Sequence, residues 1–161
     1  MKLKENTDIP LVTVLISNFN YGRFLAESID SALSQTWRNI DIIVVDDGST
    51  DESHEVLKRY ENNIRCIFKE NGGQASAFNA GIAEAKGTII CFLDSDDIWQ
   101  PDKVSEVVKK YKTGPWVLVC NEIIDIDESG EVILSDQKDA LFTYDLKEGE
   151  LLESIERDGF P

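Results

Sequence analysis

Three stretches of this chain are almost free of polar residues: 11–17 (LVTVLIS), 40–45 (IDIIVV) and 88–93 (TIICFL). A strand with one wet face alternates apolar and polar residues, and these do not. Short, nearly continuous runs rich in Val and Ile are expected where a parallel sheet is covered on both faces. Weaker runs at 64–68 and 116–120 read the same way. Parallel strands cannot be joined by tight turns, so each connection must be a crossover, usually a helix.

The intervening segments supply those helices. Phe24, Leu25, Ile29, Ala32 and Leu33 recur at spacings of three and four, marking one apolar face. Asp51-Glu52-Ser53 opens a second helix carrying Val56, Leu57 and Tyr60, with Ser49-Thr50-Asp51 read as its cap or Asx turn. Residues 74–85, rich in Ala, form a third, with Lys86-Gly87 placed to close it. Pro101 suits the first turn of a fourth, which carries Val104, Val107, Val108 and Tyr111. The alternation predicts a doubly wound α/β fold, a mostly parallel sheet with helices on both faces, as one domain over residues 1–161. After Cys120 the pattern weakens to a hairpin over 123–127 and 131–134 and a final amphipathic helix over 146–155.

Charge narrows the partners. Lys and Arg number 16 against 31 Asp and Glu, a net charge of -15. Such a chain has no basic stripe for nucleic acid and no attraction to anionic lipid. No run approaches the roughly 18 apolar residues of a membrane span, and MKLKENTDIP lacks the apolar core of a secretory signal. A cytoplasmic location is expected, with contact to the inner face of a membrane only through other regions or partners. Cys66, Cys91 and Cys120, odd in number and without CxxC spacing, read as buried reduced thiols. His54 reads as a solvated residue at a helix start.

In open parallel sheets, ligands bind beyond the carboxyl ends of the strands. Three polar clusters fall there: Ser17-Asn18-Phe19-Asn20, Asp46-Asp47-Gly48-Ser49 and Asp94-Ser95-Asp96-Asp97. Three carboxylates in four residues repel one another unless a cation or water screens them. As hard oxygen donors they suit Mg²⁺ or Mn²⁺ sharing phosphate oxygens. Phe19 offers an aromatic surface and Asp46 an acceptor for a nucleoside. No GxGxxG opens a helix and no GxxxxGK[ST] occurs, which excludes a dinucleotide fingerprint and a P-loop. A phosphoryl-transfer receiver domain would carry its acid pair after the first strand, whereas here the first acids follow the second.

VTVLISNFNYGRFLAESIDSALSQTWRNIDIIVVDDGSTDES followed by NGGQASAFNAGIAEAKGTIICFLDSDDIWQPD resembles the N-terminal part of family 2 glycosyltransferases, which have the GT-A fold. The likeness runs from about residue 11 to residue 130, and its two acidic motifs are specific in combination, order and spacing. It implies a glycosyltransferase, of hexosyltransferase type, that moves a sugar from a nucleotide-diphosphate donor, a UDP-sugar first, to a hydroxyl of a glycan, lipid-linked or protein acceptor. Asp46 then matches the acid that hydrogen-bonds the base, and Phe19 the aromatic that packs on it. Ser17 and Asn20 match the ends of the base loop. Asp94, Ser95 and Asp96 match the DXD motif, with Asp96 the direct ligand of Mn²⁺ or Mg²⁺ and Asp94 nearer the ribose or sugar. Family members invert the anomeric centre, using a separate carboxylate as base in the later, acceptor-side region. That base is expected beyond Pro161, the chain reading as truncated on that side; Glu122, Asp125 and Asp127 are the only later acids near the rim. An open sheet edge would favour self-association. The alternative reading is a module that keeps the fold and binds a nucleotide-sugar or a protein without catalysis.

Overall fold

In a computed structural model of the chain, the described residues are 9–114 and the backbone of four short strands beyond them. The elements are β1 (Val12–Asn18), α1 (Gly22–Leu33), β2 (Ile40–Asp46), α2 (Ser53–Arg59), β3 (Arg65–Phe68), α3 (Gln74–Glu84), β4 (Ile89–Asp94), α4 (Lys103–Tyr111), β5 (Leu118–Val119), β6 (Asp125–Ile126), β7 (Val132–Leu134) and β8 (Thr143–Tyr144). The chain divides into two compact units, Met1–Glu106 and Val107–Pro161.

The first unit holds a parallel sheet in the order β3-β2-β1-β4. Its core follows from the apolar runs. Leu15, Ile43 and Val45 share one face and cluster with Ala77 of α3, joined by Ile67, Phe78 and Ile90. Val14, Ile16, Ile42 and Val44 alternate to the other face and are equally buried. Both faces of β1 and β2 are covered, so these strands did not need to alternate. β4, at the edge of this sheet, departs from that expectation and alternates, with Phe92 48% exposed. Leu25 and Ile29 of α1 are fully buried, as their spacing predicts. α1 lies along β1 and against α2.

Gly87 differs from its expected role. α3 ends at Glu84 with Ala85 as its C-cap, and Gly87 lies beyond it. There the Gly87 N–H donates to Thr13 Oγ1 at 2.8 Å, and a Cβ would sit 2.4 Å from the Thr13 nitrogen. The glycine permits close backbone approach at the foot of β1 rather than a left-handed cap.

In the second unit, β6 pairs antiparallel with β7, the hairpin foreseen around residues 127–130. β5 was expected as a fifth parallel strand, but it pairs antiparallel with β8. A two-residue strand whose partner comes from later in the chain left no periodicity to read. The helix expected over 146–155 lies outside the described residues. No described helix is long and apolar enough to cross a membrane.

The strand order places the site. The chain leaves β1 on one side toward β2 and β3, then crosses to the other side for β4. The connections leaving β1 and β4 diverge at the carboxyl ends, and such a switch point opens a crevice. Ser17 pairs in register with Asp94, and Asn18 with Asp46.

Candidate nucleotide-sugar and metal cleft

An open cleft of ≈ 320 Å³ lies at that switch point. Ser17, Phe19, Asp94, Ser95 and Asp96, expected from the sequence to act together, all line it. So do Asn18, Tyr21, Asp47, Asn71, Gly73, Gln74 and Ala77. Phe19 and Tyr21, 44% and 43% exposed, present ring surface at the rim, Tyr21 also packing against Phe24.

Asp46 and Asn20, expected from the sequence in the same pocket, do not line it. Asp46 is fully buried at the end of β2, not among the lining residues. Its Oδ1 accepts from the Ser49 N–H at 2.9 Å, and its Oδ2 from Asn18 Nδ2 at 2.9 Å. The same Asn18 amide reaches Ser49 Oγ at 3.1 Å and Ser53 Oγ at 2.9 Å. Among the described residues, Asn18 Oδ1 is the buried side-chain atom without a partner. His54, expected to be merely solvated, places Nε2 3.3 Å from Asp46 Oδ1 and packs edge-on against Phe68. Asn20 takes a left-handed backbone (φ 58), which Asn tolerates better than most residues. Its Oδ1 accepts from the Thr50 N–H at 2.8 Å, and its own N–H donates to Ser49 Oγ at 2.9 Å. The expected turn at Asp51 is present: its Oδ1 accepts from the Ser53 N–H at 3.0 Å, and its Oδ2 from the Gly22 N–H at 2.8 Å. These bonds lock the loop after β1 to the loop after β2 before any ligand arrives.

The carboxylate of the pair that borders the cleft is Asp47. It receives the Lys69 ammonium and the N–H groups of Gly72 and Gly73, the latter at 2.7 Å. It thereby holds residues 69–73 across the carboxyl end of β2. Gly48, next in the chain, has φ 81, and a Cβ there would meet the Asn71 nitrogen at 2.9 Å. Burial acts to raise the Asp47 pKa, but the Lys69 hydrogen bond, the Gly72 and Gly73 amides and the Lys69 charge outweigh it, and the net shift is downward. A carboxyl depressed in the folded state adds stability that is complete above its unfolded value and lost as pH falls through the folded one. Unfolding midpoints in urea should therefore drop below about pH 4. Lys69→Met should be less stable at neutral pH and should lose less across that acid window. Parallel pH profiles for the two chains would discount Lys69 as the cause.

Across the cleft, β4 ends at Asp94. Asp94 Oδ1 accepts from Gln74 Nε2 at 2.9 Å and faces Ser17 Oγ at 3.5 Å. The Asp97 N–H donates to the Asp94 carbonyl at 3.1 Å, closing a turn that carries Ser95 and Asp96. Ser95 is buried and Asp96 exposed. Among the described residues, no group of three His, Cys, Asp or Glu forms a closed metal cage. Asp94 and Asp96 supply two hard oxygen donor groups facing open space, which fits a divalent cation completed by phosphate oxygens and water rather than a structural metal. Glu122 and Asp127 lie outside the described residues, and of Asp125 only its place in β6 is described. Cys91 is buried with its thiol pushed up to about 11 by desolvation, as a reduced core cysteine should be. Cys66 is half-buried, and Cys120 lies outside the described residues.

A family profile described as Glycosyl transferase family 2 matches residues 13–155. An uncharacterized glycosyltransferase of Nostoc sp. is 42% identical over 126 residues, covering 76% of this chain and 39% of the relative. The mannosyltransferase PcManGT from Pyrobaculum calidifontis, solved with GDP-Man and Mn²⁺, superposes with a TM-score of 0.60 at 25% identity, over 70% of this chain and 35% of that one. Staphylococcus aureus TarS 1-349, solved with UDP-GlcNAc, shares the fold at 22% identity and a TM-score of 0.59, over 65% of this chain and 32% of that one. The chain thus spans about two-fifths or less of these proteins.

Proposed function

The chain belongs to glycosyltransferase family 2, and on that premise we propose that its cleft binds a nucleotide-diphosphate sugar with a divalent cation, for transfer of the sugar to an acceptor hydroxyl. One observation carries this reading. An exposed aromatic ring, a base-side carboxylate and the acid pair of a strand-end turn meet in one cleft, although they come from three separate segments.

Phe19 offers a face for stacking the base, while Asp47, buried and already accepting from Lys69, Gly72 and Gly73, shapes the base side of the cleft by holding residues 69–73. Asp46 acts one step back: it fixes the Asn18 amide and the turn that carries Asp47. Asp94, oriented by Gln74 and Ser17, lies nearer the ribose or sugar, and Asp96 reaches the cation. Asp94 and Asp96 would hold Mn²⁺ or Mg²⁺, which when bound offsets the charge growing on the diphosphate as the bond to sugar C1 breaks. Inversion at C1, and a carboxylate that removes the acceptor proton, belong to the same reading. The acceptor is a glycan, lipid-linked or protein hydroxyl.

Calorimetric titration with UDP and with GDP, each with and without Mn²⁺, tests the proposal. The expected result is nucleotide binding that Mn²⁺ tightens, with UDP preferred. A chain that binds neither nucleotide under any of these conditions would refute it.

A further inference from the structure

The buried face of α1 and the turn that follows it carry a polar stripe where apolar residues would be expected. Ser28, Ser31 and Gln35 are 1%, 6% and 1% exposed. Buried polar groups cost stability unless they are hydrogen-bonded, and these three are bonded to one segment, residues 94–104. Ser28 Oγ donates to the Asp94 carbonyl at 3.1 Å. Ser31 Oγ accepts from the Trp99 N–H at 3.2 Å while donating to the Ser28 carbonyl at 2.8 Å. Gln35 Nε2 donates to the Gln100 carbonyl at 2.8 Å, and its Oε1 accepts from the Val104 N–H at 2.9 Å. The Thr36 N–H adds a bond to the Pro101 carbonyl at 2.8 Å.

Between the end of β4 at Asp94 and the start of α4 at Lys103, neither ladder nor helix occupies the backbone groups. The Val104 N–H lies in the first turn of α4, where no helical partner exists, and buried backbone groups are almost always paired. The stripe supplies the missing partners. It also fixes a position. The Asp94 carbonyl that receives Ser28 is the one that receives the Asp97 N–H, so the hydroxyl anchors the turn whose exposed member is Asp96. Held at Asp94 on one side and at Trp99 and Gln100 on the other, the arch between has little freedom. Among the described residues, no hydrogen bond or ion pair holds the exposed Asp96 side chain, so what the fold fixes there is the backbone from which it springs.

We infer that Ser28, Ser31 and Gln35 are positioning residues: through the backbone of residues 94–104 they set where the Asp96 carboxylate stands, and so how tightly the cleft holds its cation. The inference rests on the proposed cation reading. A ligand that must find its orientation on binding spends part of its affinity on ordering, and changes to groups behind a metal ligand typically cost about 10–100-fold in metal affinity.

The test uses the whole chain, with UDP and Mn²⁺ as probes, at a temperature where each variant is fully folded. Ser28→Ala removes the anchor and adds no bulk. Ser34→Ala, which deletes an exposed hydroxyl bonded only to the Ser31 carbonyl, is the control. Ser28→Ala should weaken Mn²⁺-supported UDP binding about 10-fold, leave metal-free UDP binding unchanged, and speed amide exchange at Asp97 and Trp99. Ser34→Ala should match the parent in all three. If Ser28→Ala loses stability alone, or weakens metal-free and metal-supported binding equally, the residue is structural and the inference fails. If the parent itself binds UDP identically with and without Mn²⁺, the cation reading falls and takes the inference with it.

Discussion

Asp96→Asn is expected to erase the gain in UDP affinity that Mn²⁺ gives, while leaving metal-free binding and the unfolding midpoint where they were. The substitution keeps the shape of the side chain and removes its charge. Asp96 is exposed, at the tip of a turn held by other residues, and exposed substitutions of this kind usually stay within about 0.5 kcal/mol. The charge has a different importance to a hard cation, which prefers anionic oxygen to an amide. The loss should be at least the roughly 10–100-fold that changes further from a metal produce. Asp94→Asn makes a useful contrast. Asp94 accepts from Gln74 and faces Ser17, so that variant should disturb the cleft wall and weaken UDP without metal too. An Asp96→Asn chain whose UDP affinity still rises with Mn²⁺ as in the parent would mean the cation binds elsewhere.

Asp46→Ala should be the most damaging single change in the loop architecture. It strands the Ser49 N–H, removes the acceptor that orients the Asn18 amide, and leaves a void at a fully buried position. The orphaned buried donor and the void together suggest a destabilisation of about 2–4 kcal/mol. Nucleotide affinity should fall with it whether or not Mn²⁺ is present, because Asp47 and the loop carrying Phe19 lose their support. Asp46→Asn, which keeps one acceptor, should fall between. Urea unfolding and UDP titration on the same samples separate the two effects. Undiminished stability in Asp46→Ala would show that the buried network is not what holds the loops.

Much of this was legible in the chain itself. Apolar runs that end in acids announce both the parallel sheet and the rim where ligands bind, since burial and charge change over within one or two residues. Phe19, Ser17, Asp94, Ser95 and Asp96 follow directly from that boundary. The sequence could not say which of two adjacent acids, Asp46 or Asp47, borders the cleft. That depends on Asn18 reaching across from β1 and on the left-handed turn at Gly48, both tertiary facts. Gln74 and Asn71 were missed because loop 69–73 is placed by Asp47, more than twenty residues earlier. The polar stripe on α1 and the turn after it did leave a signal. Ser28, Ser31 and Gln35, at spacings of three and four, stand beside the apolar face that contains Ile29 and Ala32. Polar residues at that spacing along a buried helix face mark a helix that packs against loop backbone rather than against another apolar surface.

The strand order has a kinetic consequence as well. All three pairings in the first unit's sheet are parallel, and β1 pairs with β4 although β2, β3 and three helices lie between them in the chain. Contacts so distant in sequence make for slow folding, because loop entropy is lost before the pairing rewards it. The cleft is assembled from residues 17–21, 47, 71–77 and 94–96, so no subset of early hairpins or helices contains a usable piece of it. If the cleft binds nucleotide as proposed, a nascent or partly refolded chain should not bind it until β4 docks beside β1. Nucleotide binding is then a late and nearly all-or-none reporter of native assembly, and added ligand should slow unfolding without speeding refolding.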